Sequence, residues 1–263
     1  MSNVPDSWSD LRSLTAARIA LGRSGGSLPT QELLDFGLAH ARARDSVMMS
    51  FEPDVLAKDF QKRGLNAMVL HSEATSRDEY LRRPDRGRRL NAQSLAQLAT
   101  APCEAGEDLS LIVSDGLSAR AAEHSIEVVT GLQSRLTSDG WRVSPVMVIP
   151  FARVAIQDQI GECRGSALSL ILLGERPGLG ATDSLGAYFI HAPRVGKTDA
   201  DRNCVSNIRP DGLPISTAVT TLHHLLTMAR HRKLSGVNLK DERLLRGSFE
   251  SAGSRLDQVP GTT

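Results

Sequence analysis

The sequence predicts an α/β fold: a mainly parallel sheet with helices on both faces, preceded by a helical N-terminal region. Three observations carry that expectation. Short apolar runs alternate with helix-periodic stretches across residues 109–236, the pattern of a parallel sheet with crossover helices. The first hundred residues show helical stripes and no convincing strand. The apolar run Leu168–Leu173 feeds directly into Gly174-Glu-Arg-Pro-Gly-Leu-Gly180, a Gly/Pro loop at the strand end, where an open sheet normally holds a ligand.

Taken in order, Ser9 or Asp10 caps a first helix striped by Leu11, Leu14, Ala17 or Arg18, and Leu21, ended by Gly22–Gly26. Thr30 caps a second, with Gln31 and Glu32 in its first turn. Pro53 opens a third, stopped by Gly64; residues 69–72 could be extended. Arg77–Arg89 holds six arginines among Asp78, Glu79 and Asp85. Its mixed signs fit a solvated or interface surface better than a phosphate track. A helix over 91–100 follows, then a linker over 102–107.

Leu109–Val113 is the first clear strand, and Ser118 caps a helix carrying Ala122, Ile126, Val129, Leu132 and Leu136. Strands follow at 146–149, 168–173, 187–190 and 205–208, with a helical segment over 155–163. The last helix starts at or just after Pro214, with Ile215, Val219, Leu222, Leu226 and Ala229 as its buried stripe. Cations at 230–233 suit its C-terminal dipole, and Gly236 stops it. Residues 240–263 read as a disordered, flexible tail.

The 263 residues can bury a substantial core, and their net charge of +1 excludes a domain-wide basic field for nucleic acid. No apolar run approaches the roughly 20 residues that span a bilayer, and the N-terminus lacks a signal-peptide pattern; a cytoplasmic chain follows. The three cysteines, Cys103, Cys163 and Cys204, form neither a disulfide framework nor a CxxC metal site, and read as small buried apolar residues.

The loop at 174–180 has no Gly-Lys-Ser/Thr, and Asp183 stands where a dinucleotide loop needs its third glycine. The seven histidines show no metal-ligand spacing, and no Gly-x-Ser-x-Gly elbow occurs. On its local pattern, Leu168–Gly180 is therefore either a plain strand-to-loop turn with solvated charges or a binding loop. Ser114-Asp115-Gly116 could be a nucleophile turn, but no histidine is placed by sequence to activate it.

Several blocks, in order, resemble the small (light) subunit family of ethanolamine ammonia-lyase. They are Thr15–Ile19 with Gly22-Arg23, Pro29–Phe36, Tyr80–Leu90, Val113–Ser118, Arg153-Val154 with Asp158–Glu162, Leu173–Gly180 and Asp201–Ile208. The resemblance implies a Rossmann-like domain with a helical N-terminal part: residues 1–103 for partner docking, 104–239 for cobalamin binding, 240–263 as tail. It implies a large-subunit partner, a TIM barrel carrying the radical chemistry on ethanolamine, in a hetero-oligomer of six large and six small subunits. Adenosylcobalamin would lie between the subunits, base-on, with cobalt not ligated by this chain. By motif position its contacts fall on Val154, Glu175 and Cys204, with no catalytic residue and no metal ligand here. These three are expected on one rim of the sheet. Asp-x-His-x-x-Gly, the base-off signature, is absent from the sequence.

Some relatives carry a long N-terminal extension linked to bacterial microcompartment packaging, which leaves packaging open for this chain. Two other readings stand beside the resemblance. One is a stand-alone α/β enzyme acting on a small phosphorylated metabolite through Ser114-Asp115-Gly116. The other is a non-catalytic structural partner docking through the arginine-rich segment.

Overall fold

A computed structural model describes residues 8–15, 17–101 and 106–241. Its frame is a six-stranded mixed sheet, β1 (Ala67–Val69), β2 (Leu109–Ser114), β3 (Val146–Val148), β4 (Leu168–Gly174), β5 (Leu185–His191) and β6 (Arg202–Ile208), in the order β1-β3-β2-β4-β5-β6. The ladders β1–β3, β3–β2 and β2–β4 are parallel. Those of β4–β5 and β5–β6 are antiparallel. The expected mainly parallel sheet is thus corrected to a mixed one. Parallel neighbours need a crossover of a dozen or more residues, usually a helix. Residues 175–184 and 192–201 supply only loop and a short 3₁₀ turn, so the chain folds straight back on itself.

Period-two alternation in β2 splits its side chains between two cores. Leu111 and Val113, with Leu170 and Leu172 of β4 and Val146 and Val148 of β3, share one core with α2 (Pro53–Lys62), α6 (Ser125–Ser138) and α8 (Ile215–Arg232). Ile112, Met147, Ile171 and Leu173 share the other with α4 (Ala92–Thr100) and α7 (Ile156–Arg164). Coverage on both faces explains why β2 and β4 read as nearly continuous apolar runs, interrupted inside by the buried Ser110 and Ser169.

The N-terminal region departs from expectation. Val69 does lie in a strand, but β1 starts at Ala67 and hydrogen-bonds into the main sheet beside β3. The first helix shrinks to a 3₁₀ turn over Ser9–Leu14, with Thr15 extended, because none of its residues is buried and nothing among the described residues covers its stripe. α1 (Thr30–Met48) has no side-chain cap from Thr30, which is its first helical residue. It leaves Leu33, Leu34, Phe36, Leu38 and Met48 exposed.

Further on, Ser118 caps as expected, accepting from the Ala121 N–H at 3.3 Å. The helix it opens, α5 (Ala119–Ala122), breaks at Glu123-His124 before α6 resumes. α8 runs to Arg232, where Lys233 takes the left-handed conformation at φ 54°, three residues before Gly236. Cys163 and Cys204 are exposed rather than buried; Cys103 and the tail from 242 lie outside the described residues, as does most of the expected linker. No helix among the described residues is long and apolar enough to cross a membrane.

Candidate functional site

The crevice beyond the C-terminal ends of β2 and β4 is the usual ligand position, since chain order reverses there. Here the chain fills it. α3 (Arg77–Arg82) delivers Arg77, whose guanidinium donates to Asp115 Oδ2 at 2.6 Å and to the Gly116 carbonyl at 2.6 Å. The same guanidinium stacks over Tyr80 at 5.3 Å and Phe151 at 5.2 Å. Asp115 is fully buried, and burial pushes its carboxyl above the usual range against the pull of Arg77. Gly174 is pressed so close that a Cβ would lie 2.2 Å from the Ser118 carbonyl oxygen. So one arginine of the charge-dense segment is buried structure, although Arg82, Arg83, Arg88 and Arg89 remain exposed. Ser114 is equally enclosed: its Oγ donates to Asp115 and accepts from the Gly116 and Ala152 N–H groups. That leaves the stand-alone enzyme reading without an accessible nucleophile.

The second region lies beside this crevice, on the antiparallel half. Glu175 leaves the end of β4 and folds back over β5. Its Oε2 accepts from Ser184 Oγ at 2.5 Å and the Asn207 N–H at 3.1 Å, and its Oε1 accepts from the Tyr188 hydroxyl at 3.5 Å. Gly186 makes this possible, because a Cβ there would lie 2.8 Å from Glu175 Oε1. Tyr188 pairs across the ladder with Cys204 on β6, so one tyrosine touches both residues. Burial first, then Cys204 and Glu175, push the Tyr188 hydroxyl well up. Desolvation first, with the Glu175 charge adding, lifts the Cys204 thiol to about 11. At neutral pH it is therefore an uncharged, polarizable surface group rather than a thiolate nucleophile.

Cys204 corrects one expectation. It lies inside β6, level with Tyr188 and Ile171, so it sits on the face of the sheet and not at its rim. The sequence suggested a strand from Val205; in fact β6 starts three residues earlier.

Val154 lies just before α7, half-buried against the α4/α7 core. It does not meet Glu175 or Cys204 through any hydrogen bond or ladder pair. It lines a separate cavity of about 390 Å³ with Arg88, Arg153, Lys197, Thr198 and Arg202 among its walls. Arg202 ties that cavity to β6. Its guanidinium pairs with the buried Asp158 of α7, and also with Asp199 at 3.2 Å. Burial raises the Asp158 carboxyl to about 6 despite the opposing Arg202.

The family model described as ethanolamine ammonia-lyase light chain (EutC) matches residues 5–240. The ethanolamine ammonia-lyase small subunit of Pseudomonas putida (strain GB-1) is 49% identical over 255 residues, covering 95% of this chain and 93% of that protein. The protein of the same description from Azotobacter vinelandii (strain DJ / ATCC BAA-1303) is 50% identical over 238 residues, covering 89% of this chain and 88% of that one. The chain belongs to the ethanolamine ammonia-lyase light-chain family.

A corrin is a broad apolar disc fringed with amides, and the described residues have chemistry that suits one. A carboxylate has about four lone-pair sites, and Glu175 uses three, leaving one for an amide N–H. The α7-side face of β5 and β6 offers the half-buried Tyr188 and the exposed Cys204, while α8 covers the opposite face. Arg153 Nε and Arg202 Nε are buried without a hydrogen-bond partner. Sequence reading missed Tyr188, the group that joins Glu175 to Cys204. Its signal was the alternation in Leu185–His191, legible only once that segment is placed antiparallel to β4. Arg202 and Asp158, both inside blocks that resembled the family, were not singled out either.

Proposed function

We propose that this chain is the cofactor-holding small subunit of a cobalamin-dependent ethanolamine ammonia-lyase, whose catalytic groups sit on a large-subunit partner. The observation that carries the reading is the junction of Glu175 and Cys204 through Tyr188 on a partly open sheet face, in a chain of this family. Glu175 would accept from a peripheral amide of the corrin, Cys204 would lie against the ring where it comes close, and Val154 would pack its apolar side chain on the disc. Bound adenosylcobalamin supplies radical initiation through its cobalt–carbon bond. This chain's part is to hold, orient and shield, and no histidine of it ligates the cobalt.

The exposed apolar residues of α1 support a docking role for the N-terminal region. Leu33, Leu34, Phe36 and Leu38 together exceed what a lone solvated helix displays. In this reading residues 1–103 serve mainly to engage the large subunit, and 104–239 hold the cofactor.

Co-expression with the large subunit tests the proposal. A stable complex that retains corrin absorbance and releases ammonia from ethanolamine is expected, with no turnover by either chain alone. Normal turnover by the large subunit alone overturns it.

A further inference from the structure

An apolar groove of about 440 Å³ opens on the parallel half, where the connection from α1 to α2 passes α5 and the start of α6. Phe51, Leu56, Ala122 and Ile126 form its floor, while Met49 and Val55 stand at its mouth, 44% and 55% exposed. Three carboxylates also line it: Glu52, Asp59 and Glu123. Asp59 is held by Lys62 at 2.7 Å. Glu52 and Glu123 are exposed and form no ion pair among the described residues, and Glu52 does not cap α2 with its side chain. The other exposed cations of α2 and α5, Lys58 and Arg120, do not line the groove. The groove is thus apolar inside and acidic at its edge.

It continues the bare surface of α1. Helical spacing puts Leu34, Leu38, Ala41 and Met48 on one face, all four exposed. The two buried residues of α1, Ala39 and Ser46, lie on another. Ser46 pins that end of the helix beside α5, bonding Ser118 Oγ at 3.0 Å and the Thr182 carbonyl at 2.7 Å. The stripe therefore leaves α1 at Met48 and enters the groove at Met49. An apolar stripe with an acidic end fits an amphipathic helix that carries lysine or arginine. A second copy of this chain fits badly: a two-fold contact sets the patch against itself, carboxylate facing carboxylate. We propose that the groove is a socket for a helix of the large subunit, which inserts an apolar side chain between α2 and α5 and sets a cation against Glu52 and Glu123. The inference rests on the small-subunit reading above and deepens it. Docking then extends beyond residues 1–103 onto α5 and α6, within the domain that reading gives to the cofactor.

Binding of the full-length small subunit to the large subunit is measured by biolayer interferometry over a range of salt. Glu52→Lys combined with Glu123→Lys, both at exposed positions, is expected to weaken association about tenfold at about 0.1 M salt, the loss shrinking as salt rises. Unchanged affinity overturns the socket and leaves the small-subunit reading intact. Failure of the wild-type chain to bind the large subunit overturns both together. Val55→p-benzoylphenylalanine, placed at the exposed mouth, tests the occupant in the assembled complex. Irradiation is expected to join it to a large-subunit peptide with lysine or arginine within one helical turn of the joined residue. A crosslink to a second small subunit, one within the same chain, one to a large-subunit peptide without such a cation, or none at all overturns the proposal.

Discussion

The two halves of the sheet treat their open ends differently. In the parallel half, β1-β3-β2-β4, helices cover both faces, and the crevice where open α/β sheets hold ligands is filled by Arg77, Asp115, Tyr80 and Phe151. In the antiparallel half, α8 covers one face, and the other leaves Tyr188 half-buried and Cys204 exposed. The difference follows from connection chemistry. A helical crossover must cover a face as it returns; the loops flanking β5 cover only parts of it, through Glu175 over Tyr188 and through Lys197 and Asp199 beside Arg202. The lesson is that strand topology locates a crevice, but the chain's own side chains decide whether a ligand can use it.

The sharpest way to break this comparison is to empty the crevice. Asp115→Ala strands the Arg77 charge against the buried Tyr80 ring and the half-buried Phe151 ring and removes the acceptor of the Phe151 N–H. Breaking one partner of a buried ion pair costs about 3–5 kcal/mol, so urea denaturation should show a loss of that size. Corrin retention by the surviving folded complex should hardly change. Weakened corrin binding without lost stability would return the ligand to the crevice.

Between the halves, the pair of Asp158 on α7 and Arg202 on β6 gives a pH signature. Burial, the largest influence, raises the Asp158 carboxyl from 3.8 to about 6, opposed by Arg202 and Lys197 and aided by Asp201. From about pH 4 to about pH 6 the folded chain then holds a proton that the unfolded chain has lost, so this group's contribution to stability falls as pH rises. A shift of about two units corresponds to at most about 3 kcal/mol. Asp158→Asn cannot titrate. The wild type should therefore lose up to about that much stability relative to Asp158→Asn across this window, measured by urea melts at each pH. A constant difference refutes the assignment.

On the open face, Glu175→Ala removes an acceptor that Ser184, Tyr188 and Asn207 already orient. A hydrogen bond to a charged group contributes about 1.5–3 kcal/mol, which sets the expected loss of corrin affinity at about tenfold or more in equilibrium dialysis. Glu175→Gln keeps an acceptor oxygen and should recover part of it. An unchanged affinity removes Glu175 from the site and leaves the antiparallel half without its one polar anchor.

The sequence made much of this legible, and where it failed the reason is physical. The stripe Val219, Leu222, Leu226 and Ala229 announced α8, and the apolar runs announced β2 and β4, because both periodicities are local. Strand direction is not local, yet a clue was present: no helical stripe separates Gly174 from Leu185 or His191 from Arg202. Of the three glycines in the Gly/Pro loop at 174–180, only Gly174 is required by packing: a Cβ at Gly178 would have only one neighbour, at 3.8 Å, and one at Gly180 none within 4 Å. Arg77 was hidden among six arginines because only its tertiary partner, Asp115, sets it apart. Glu175 was legible as a loop acid, whereas its link to Cys204 depended on Tyr188 and on a ladder no local pattern encodes.

The smallest expected effect falls on Cys204 and tests the open face most directly. Its thiol is neutral and exposed, level with Tyr188 on the sheet, so Cys204→Ser should change stability by no more than about 0.5 kcal/mol. A hydroxyl replaces the sulfur with little change in size, and corrin affinity should shift only a few-fold. Cys204→Leu leaves the fold equally undisturbed, because the residue points away from the α8 core, but it adds bulk where the ring is expected. Its corrin affinity should fall well below that of Cys204→Ser at equal stability. If both substitutions leave affinity alone, the open face of β5 and β6 is not where the ring rests, however well its chemistry suits one.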